Sequence, residues 1–335
     1  MERVRRLLIC SALAALASST LCAAQDVGRM RPARTIHRVA WAEGTSEFAA
    51  RYLQSLRDGL AERGFREGHG LELRAFGGLG ESRIDWKSYD QIQPILDWKP
   101  HVIVVKSAEA VKAFRKASST IPIVFTWVPD PVLAGLVETL ARPGGNATGV
   151  SIPLEELAVK RVELLKELLP PARRVAVLFD SRSADQGRVL SLIRATAQRM
   201  NLAVENADAA AGGLEASLSR IRASKADAVL ITGVLEDPRA FDLLLRFQAD
   251  ARIPLLDDTA ESAEFGMLLA LGEDGRDHFR RAAHAVAKIL EGANPSTIPV
   301  DVSTRILLWV NAGAARRLDI RVPESILVRA DRVIR

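Results

Sequence analysis

Short apolar runs alternate with amphipathic stretches twice along this chain, and that alternation restricts the fold more than any other feature. His37–Trp41 reads as a strand ending at Gly44-Thr45-Ser46. Glu47–Arg63 follows with Phe48, Tyr52, Leu56 and Leu60 on one face, a helical spacing, and Gly64 stops it. Leu71–Phe76 alternates as a second strand, and His101–Val105 and Ile121–Trp127 read as buried strands flanking a helix over Ala108–Lys116. The pattern then restarts. Glu155–Leu169 places Ala158, Val162, Leu165 and Leu169 inward before Pro170-Pro171. Arg174–Phe179, Leu202–Val204, Ala228–Thr232, Ile253–Leu256, Met267–Leu271 and Thr304–Val310 read as strands. Between them lie a helix marked by Leu214, Leu218 and Ile221, one over Arg239–Ala251, and one with Phe279, Ala283, Val286 and Leu290 inward. Strands alternating with helices predict an α/β fold of two consecutive Rossmann-like units with parallel sheets.

The seam between the units falls in DPVLAGLVETLARPGGNATGVS, residues 130–151. Pro143-Gly144-Gly145-Asn146 is a turn signal, and the extended Thr148–Ser151 reads as a crossing strand. Gly144, Gly145 and Gly149 are therefore the expected hinge.

Residues 1–24 carry Arg3, Arg5 and Arg6, an apolar run Leu7–Leu21, and the small end Cys22-Ala23-Ala24. That order predicts a cleaved export signal, since the apolar run is short for a membrane span, with an uncleaved N-terminal anchor as the alternative. Its removal lowers the net charge from +5 to +3 and takes away both cysteines, Cys10 and Cys22. The mature chain then offers no thiol for a disulfide or a metal. Apolar residues at 48% suffice for a core without cross-links.

In open parallel sheets ligands sit beyond the C-terminal strand ends. The polar or turn residues there are Gly44, Thr45, Ser46, Lys106, Ser107, Ala108 and Asp130 in the first unit. In the second they are Asp180, Ser181, Gly233, Asp257 and Asp258. Hydroxyls and helix N-terminal amides suit an anion, and Asp130, between Pro129 and Pro131, suits an ammonium. The same residue types also cap helices and turns, so each has a purely local alternative. Trp41 and Trp127 stand near strand ends, where they either fill the core or line a pocket. No G-x-S-x-G, H-E-x-x-H or P-loop is present, and the five histidines are scattered, with His278 and His284 six apart. No enzyme, metal or cofactor reading follows from these residues.

The segment IPIVFTWVPDPVLAGLVETLARPGGNATGVS resembles the signature of ABC-transporter substrate-binding proteins of the type I periplasmic-binding-protein fold, a family that includes aromatic amino-acid binders. GLAERGFREG, KRVELLKELLPPARRVAVLFD, AAHAVAKILEGANPSTIPVDVSTRILLWVNAGAARRLDI and PESILVRADRVI are similar to its matching regions. The chain departs from the family at Val105-Lys106-Ser107-Ala108-Glu109 and at Ala270-Leu271-Gly272. The resemblance implies two lobes joined by a three-strand hinge, with residues 36–150 plus 273–295 in lobe one and 151–272 plus 296–335 in lobe two. It implies a monomeric periplasmic receptor that holds a small polar or charged ligand, an amino acid or related acid, and hands it to an ABC permease. A ligand sensor for a membrane kinase and an exported α/β enzyme are the alternatives. A nucleic-acid partner is not expected, because no helix-turn-helix precedes the first strand.

Overall fold

Both faces of each sheet are covered by helices, which is why the strands are nearly continuous in Val, Ile, Leu and Ala. The computed structural model describes residues 36–43, 47–77, 89–182, 186–233 and 238–335. Everything below lies in the unit His37–Arg335. The expected signal at residues 1–24 lies outside the described residues.

The first sheet contains β1 (His37–Ala42), β2 (Leu71–Ala75), β3 (Val102–Lys106), β4 (Ile123–Val128), β5 (Ala147–Ser151) and the two-residue β11 (Asp301–Val302). Its order is β11-β5-β4-β3-β1-β2, parallel throughout. The second sheet contains β6 (Arg174–Phe179), β7 (Ala203–Asp208), β8 (Ala228–Thr232), β9 (Leu255–Thr259), β10 (Leu269–Glu273), β12 (Ile306–Asn311) and β13 (Arg332–Ile334). Its order is β13-β12-β10-β9-β8-β6-β7, with β10 and β12 antiparallel and the other pairs parallel. Each sheet carries a hydrophobic cluster on both faces. The two sheets form two α/β lobes, with the chain passing between them three times.

The first passage is Ile152–Pro153, between β5 and the helix Leu154–Leu168. The second is Asp274, between β10 and the helix Gly275–Leu290, which packs into the first lobe's core through Phe279, Ala283 and Val286. The third is Ser303–Arg305, between β11 and β12. Residues 296–302, read from sequence as part of the second lobe, run alongside the first, where β11 pairs with β5.

The three glycines expected at the hinge all precede the first passage. Gly144 sits in a turn at φ 79°, and Gly145 faces the Arg115 side chain. Gly149 lies within β5, paired with Phe125. A Cβ there would come 2.0 Å from the Phe125 carbonyl oxygen, so the close approach of the neighbouring backbone by itself requires glycine. Gly149→Ala is expected to lower stability by about 2 kcal/mol or more, since overpacking against backbone finds no flexible atom to displace. Urea melts of the two proteins check this, and a difference under about 0.5 kcal/mol, the range of ordinary surface changes, would contradict it.

Candidate functional site

The close approach at Gly149 stands beside a break in the β4–β5 ladder. Phe125 pairs with Gly149 and Val128 with Ser151, so Thr126 and Trp127 together oppose Val150. Trp127 takes up the extra residue with φ 53°, a left-handed backbone that bulky residues rarely adopt. Bulges re-aim side chains, and this one turns the indole toward the second lobe. Trp127 packs against the core clusters of both lobes. Its ring stands 5.4 Å from Tyr52, 5.5 Å from Phe279 and 4.5 Å from His278. Lys106 Nζ lies 5.1 Å from the ring centre and 3.7 Å from Glu43 Oε1.

A cavity of about 270 Å³ opens at this wall. Ser107, Glu109, Lys112, Trp127 and Asp130 line it from the first lobe, and Leu154, Glu155, Arg188 and Val189 from the second. Further into the second lobe lies a set of polar side chains whose valences are unfilled. Arg161 is 2% exposed. Its Nη1 is 3.8 Å from Asp258 Oδ2, while Nε and Nη2 have no hydrogen-bond partner. Gln186 Oε1 and Thr232 Oγ1 are buried and equally unpartnered. These groups converge on Gly233, whose amide donates to Asp258 Oδ2 at 3.2 Å. A Cβ on Gly233 would lie 3.0 Å from Gln186 Nε2. Leaving a buried donor or acceptor unmet costs about 1–3 kcal/mol each, so such a cluster marks a place where another molecule supplies the missing bonds.

Of the residues expected from sequence, Gly44, Thr45 and Ser46 lie outside the described residues. Ser107, Ala108 and Asp130 line the cavity, and Lys106 stands over Trp127. Two also perform local capping: Ser107 Oγ accepts from the Ala110 amide at 3.3 Å, and Asp130 Oδ1 from the Leu133 amide at 2.9 Å. In the second lobe Asp180 is buried and accepts from Arg182 Nε at 2.8 Å. The Ser181 amide donates to Asp208 at 3.1 Å. Asp258 joins the Arg161 cluster, and Asp257 is wholly buried beside it. Sequence reasoning missed Arg161, Gln186 and Thr232. A signal for Arg161 was present, because it falls on the inward stripe with Leu154, Leu157, Ala158 and Leu165.

Several acids lie close enough to Tyr52 to act on it. Burial first, then Asp258, pushes the Asp257 carboxyl up to about 8. Ser262 does little to relieve it, because its one hydroxyl proton goes to the Thr259 carbonyl at 2.5 Å. Burial first, then Asp274, pushes Glu261 up to about 8 as well. The Tyr52 hydroxyl is raised well above its ordinary value by burial, then by Glu261, Glu43, Asp257 and Asp274. Asp274, partly buried, is nonetheless held low by Arg276. Unfolded, Asp257 and Glu261 release their protons near pH ~4, whereas the folded chain keeps them to about pH 8. The native state thus binds more protons across that window, and stability falls as pH rises through it. Thermal melts are expected to show a declining midpoint from pH 5 to 8, with a shallower decline in Asp257→Asn. Identical slopes in the two proteins would contradict the assignment.

Comparison with known proteins identifies the family. A model of ABC transporter substrate binding proteins matches residues 43–334. The tyrosine-binding protein of Clostridioides difficile is 23% identical over 265 residues, covering 78% of this chain and 74% of that protein. A conserved domain protein from Vibrio cholerae superposes with a TM-score of 0.79 at 28% identity, over 89% of this chain and 99% of that one. The ABC domain from Streptococcus pneumoniae in complex with L-Trp superposes with a TM-score of 0.77 at 22% identity, over 90% and 100%. With a match that spans both lobes and all three passages between them, this chain belongs to the ABC transporter substrate binding protein family, whose members bind solutes rather than transform them.

Proposed function

We propose that the chain is an exported receptor that takes a small ligand with a polar head and an apolar body into the cleft between its lobes, then presents it to an ABC permease. The observation that carries this reading is the pairing of an aromatic wall with unmet polar atoms. Trp127 bounds the cavity, and Arg161, Gln186 and Thr232 lie beyond it with buried atoms lacking partners. The cavity's about 270 Å³ is close to the lower end of ligand pockets, roughly 300 Å³.

The polar atoms specify a head group. Arg161 Nε and Nη2 require acceptors, and Gln186 Oε1 requires a donor. The Arg161 charge is already matched by Asp258, so a head of no net charge fits better than a simple anion. An α-amino acid meets these terms, with its carboxylate on the guanidinium and its ammonium toward Gln186 and Asp258. The relatives described above include a tyrosine-binding protein and a structure holding L-Trp, ligands with such a head and an aromatic body. In this reading Ser107 and Asp130 contribute from the first lobe. Ile152–Pro153, Asp274 and Ser303–Arg305 absorb the rotation of closure. Residues 1–24 direct export to the periplasm, and among the described residues no helix is long and apolar enough to cross a membrane.

A thermal-shift screen of L-amino acids and small organic acids tests the reading. A ligand at a hundredfold excess over its Kd stabilises by about 2.7 kcal/mol, so a binder stands out clearly. Arg161→Lys keeps a cation beside Asp258 but loses the planar fork. It is expected to weaken the binder about 10- to 100-fold, the equivalent of one charged hydrogen bond, with the ligand-free melting midpoint little changed. Unaltered affinity measured by calorimetry would remove Arg161 from the site.

A further inference from the structure

Trp127 cannot hold its left-handed backbone by strand pairing, because the bulge takes its amide out of the ladder. That amide donates instead to Nε2 of His278 at 3.1 Å. His278 comes from the helix Gly275–Leu290, one turn after the second passage between lobes, and is 1% exposed. Since Nε2 accepts, the ring proton is on Nδ1, which faces Glu273 Oε2 at 2.7 Å. Glu273 is the last residue of β10 in the second lobe and is 4% exposed. The imidazole also lies against the indole, with centroids 4.5 Å apart and planes at 37°. A single side chain thus fixes the Trp127 backbone, supports its ring, and is itself oriented by a carboxylate at the strand end where the chain changes lobes.

We propose that His278 is a positioning residue for the ligand site. It holds Trp127 in the left-handed conformation that turns the indole into the cleft, and Glu273 sets its tautomer. A buried histidine serving only as core would need shape and ring contacts, not an acceptor aimed at one strained amide. The proposal rests on the reading of Trp127 as the aromatic wall of the site, but its structural part is testable without ligand.

Two substitutions separate the roles. Glutamine can reach the Trp127 amide with its carbonyl, whereas phenylalanine fills the ring's space and accepts nothing. Acrylamide quenching is measured for the wild type, His278→Gln and His278→Phe. Each is paired with its Trp127→Phe counterpart, so that the difference isolates the emission of Trp127. Quenching of that component is expected to stay within about 1.5-fold of wild type in His278→Gln and to rise at least about 3-fold in His278→Phe, because the half-buried indole loses the acceptor that holds it against the cores of both lobes. Equal quenching in all three folded proteins would overturn the proposal. Should His278→Phe not fold, nitrogen NMR of the wild-type imidazole decides. An Nδ1-protonated neutral ring is expected, and a proton on Nε2 would overturn the proposal. Calorimetry with L-tyrosine as probe then reads the functional consequence, with His278→Phe expected to bind at least about tenfold more weakly than His278→Gln. Equal affinities for the two variants would refute a role in the site. If wild type itself fails to bind L-tyrosine, that ligand reading falls, while quenching and the tautomer still decide the positioning.

Discussion

The extra residue in β4 is the constraint on which the ligand-facing architecture depends. Opposite Val150 the strand must accommodate both Thr126 and Trp127, and it does so at Trp127 with φ 53°. Such a backbone costs about 1–3 kcal/mol in a bulky residue. The offset is distributed over an amide bond to His278, a ring contact with the same imidazole, neighbouring Tyr52 and Phe279, and Lys106 over the indole. Each is worth on the order of 0.5–1.5 kcal/mol, so several are needed. The elements that supply them are the helix Glu47–Ala61, β3 and the helix Gly275–Leu290, which is why so much of the first lobe converges on one side chain.

The second lobe meets that wall with polar groups. Arg161 is sunk in the helix Leu154–Leu168 with one counter-charge and two idle donors, and burial lowers its affinity for a proton, an effect that Asp258 and then Asp257 oppose only in part. Asp257 and Glu261 keep their protons well above the ordinary carboxylate range. A fold selected only for stability would replace these groups with apolar ones. Asp257 and Asp258 lie near the end of β9, and the end of a strand is where an open α/β sheet receives a ligand.

The fold was legible because its determinants are periodic. Runs such as Val102–Val105 and stripes such as Phe279, Ala283 and Val286 repeat what burial demands, and the elements expected from them fall close to those observed, whereas the helix Tyr89–Asp97, β11 and β13 had no expected counterpart. What escaped was non-local. The reversal of β12 against β10 follows from the intervening excursion through the first lobe, which no local pattern encodes. Gly149 reads as a hinge from its turn-rich surroundings, yet its cause is the Phe125 carbonyl two dozen residues earlier. The strand-end positions of Ser107 and Asp130 put them on the cavity and that of Asp258 in the Arg161 cluster, whereas Gln186 and Thr232 gave no sign of being left without partners. His278 looked ordinary because its role depends on Trp127, 151 residues away in sequence.

An aromatic wall in one lobe, unfilled polar atoms in the other and three narrow passages between them fit the proposed cleft completed by its ligand. Small-angle X-ray scattering with and without the binder recovered from the thermal-shift screen tests that claim most directly. Closure of the lobes over the ligand predicts a smaller radius of gyration on saturation, and scattering curves that superimpose within error would contradict it.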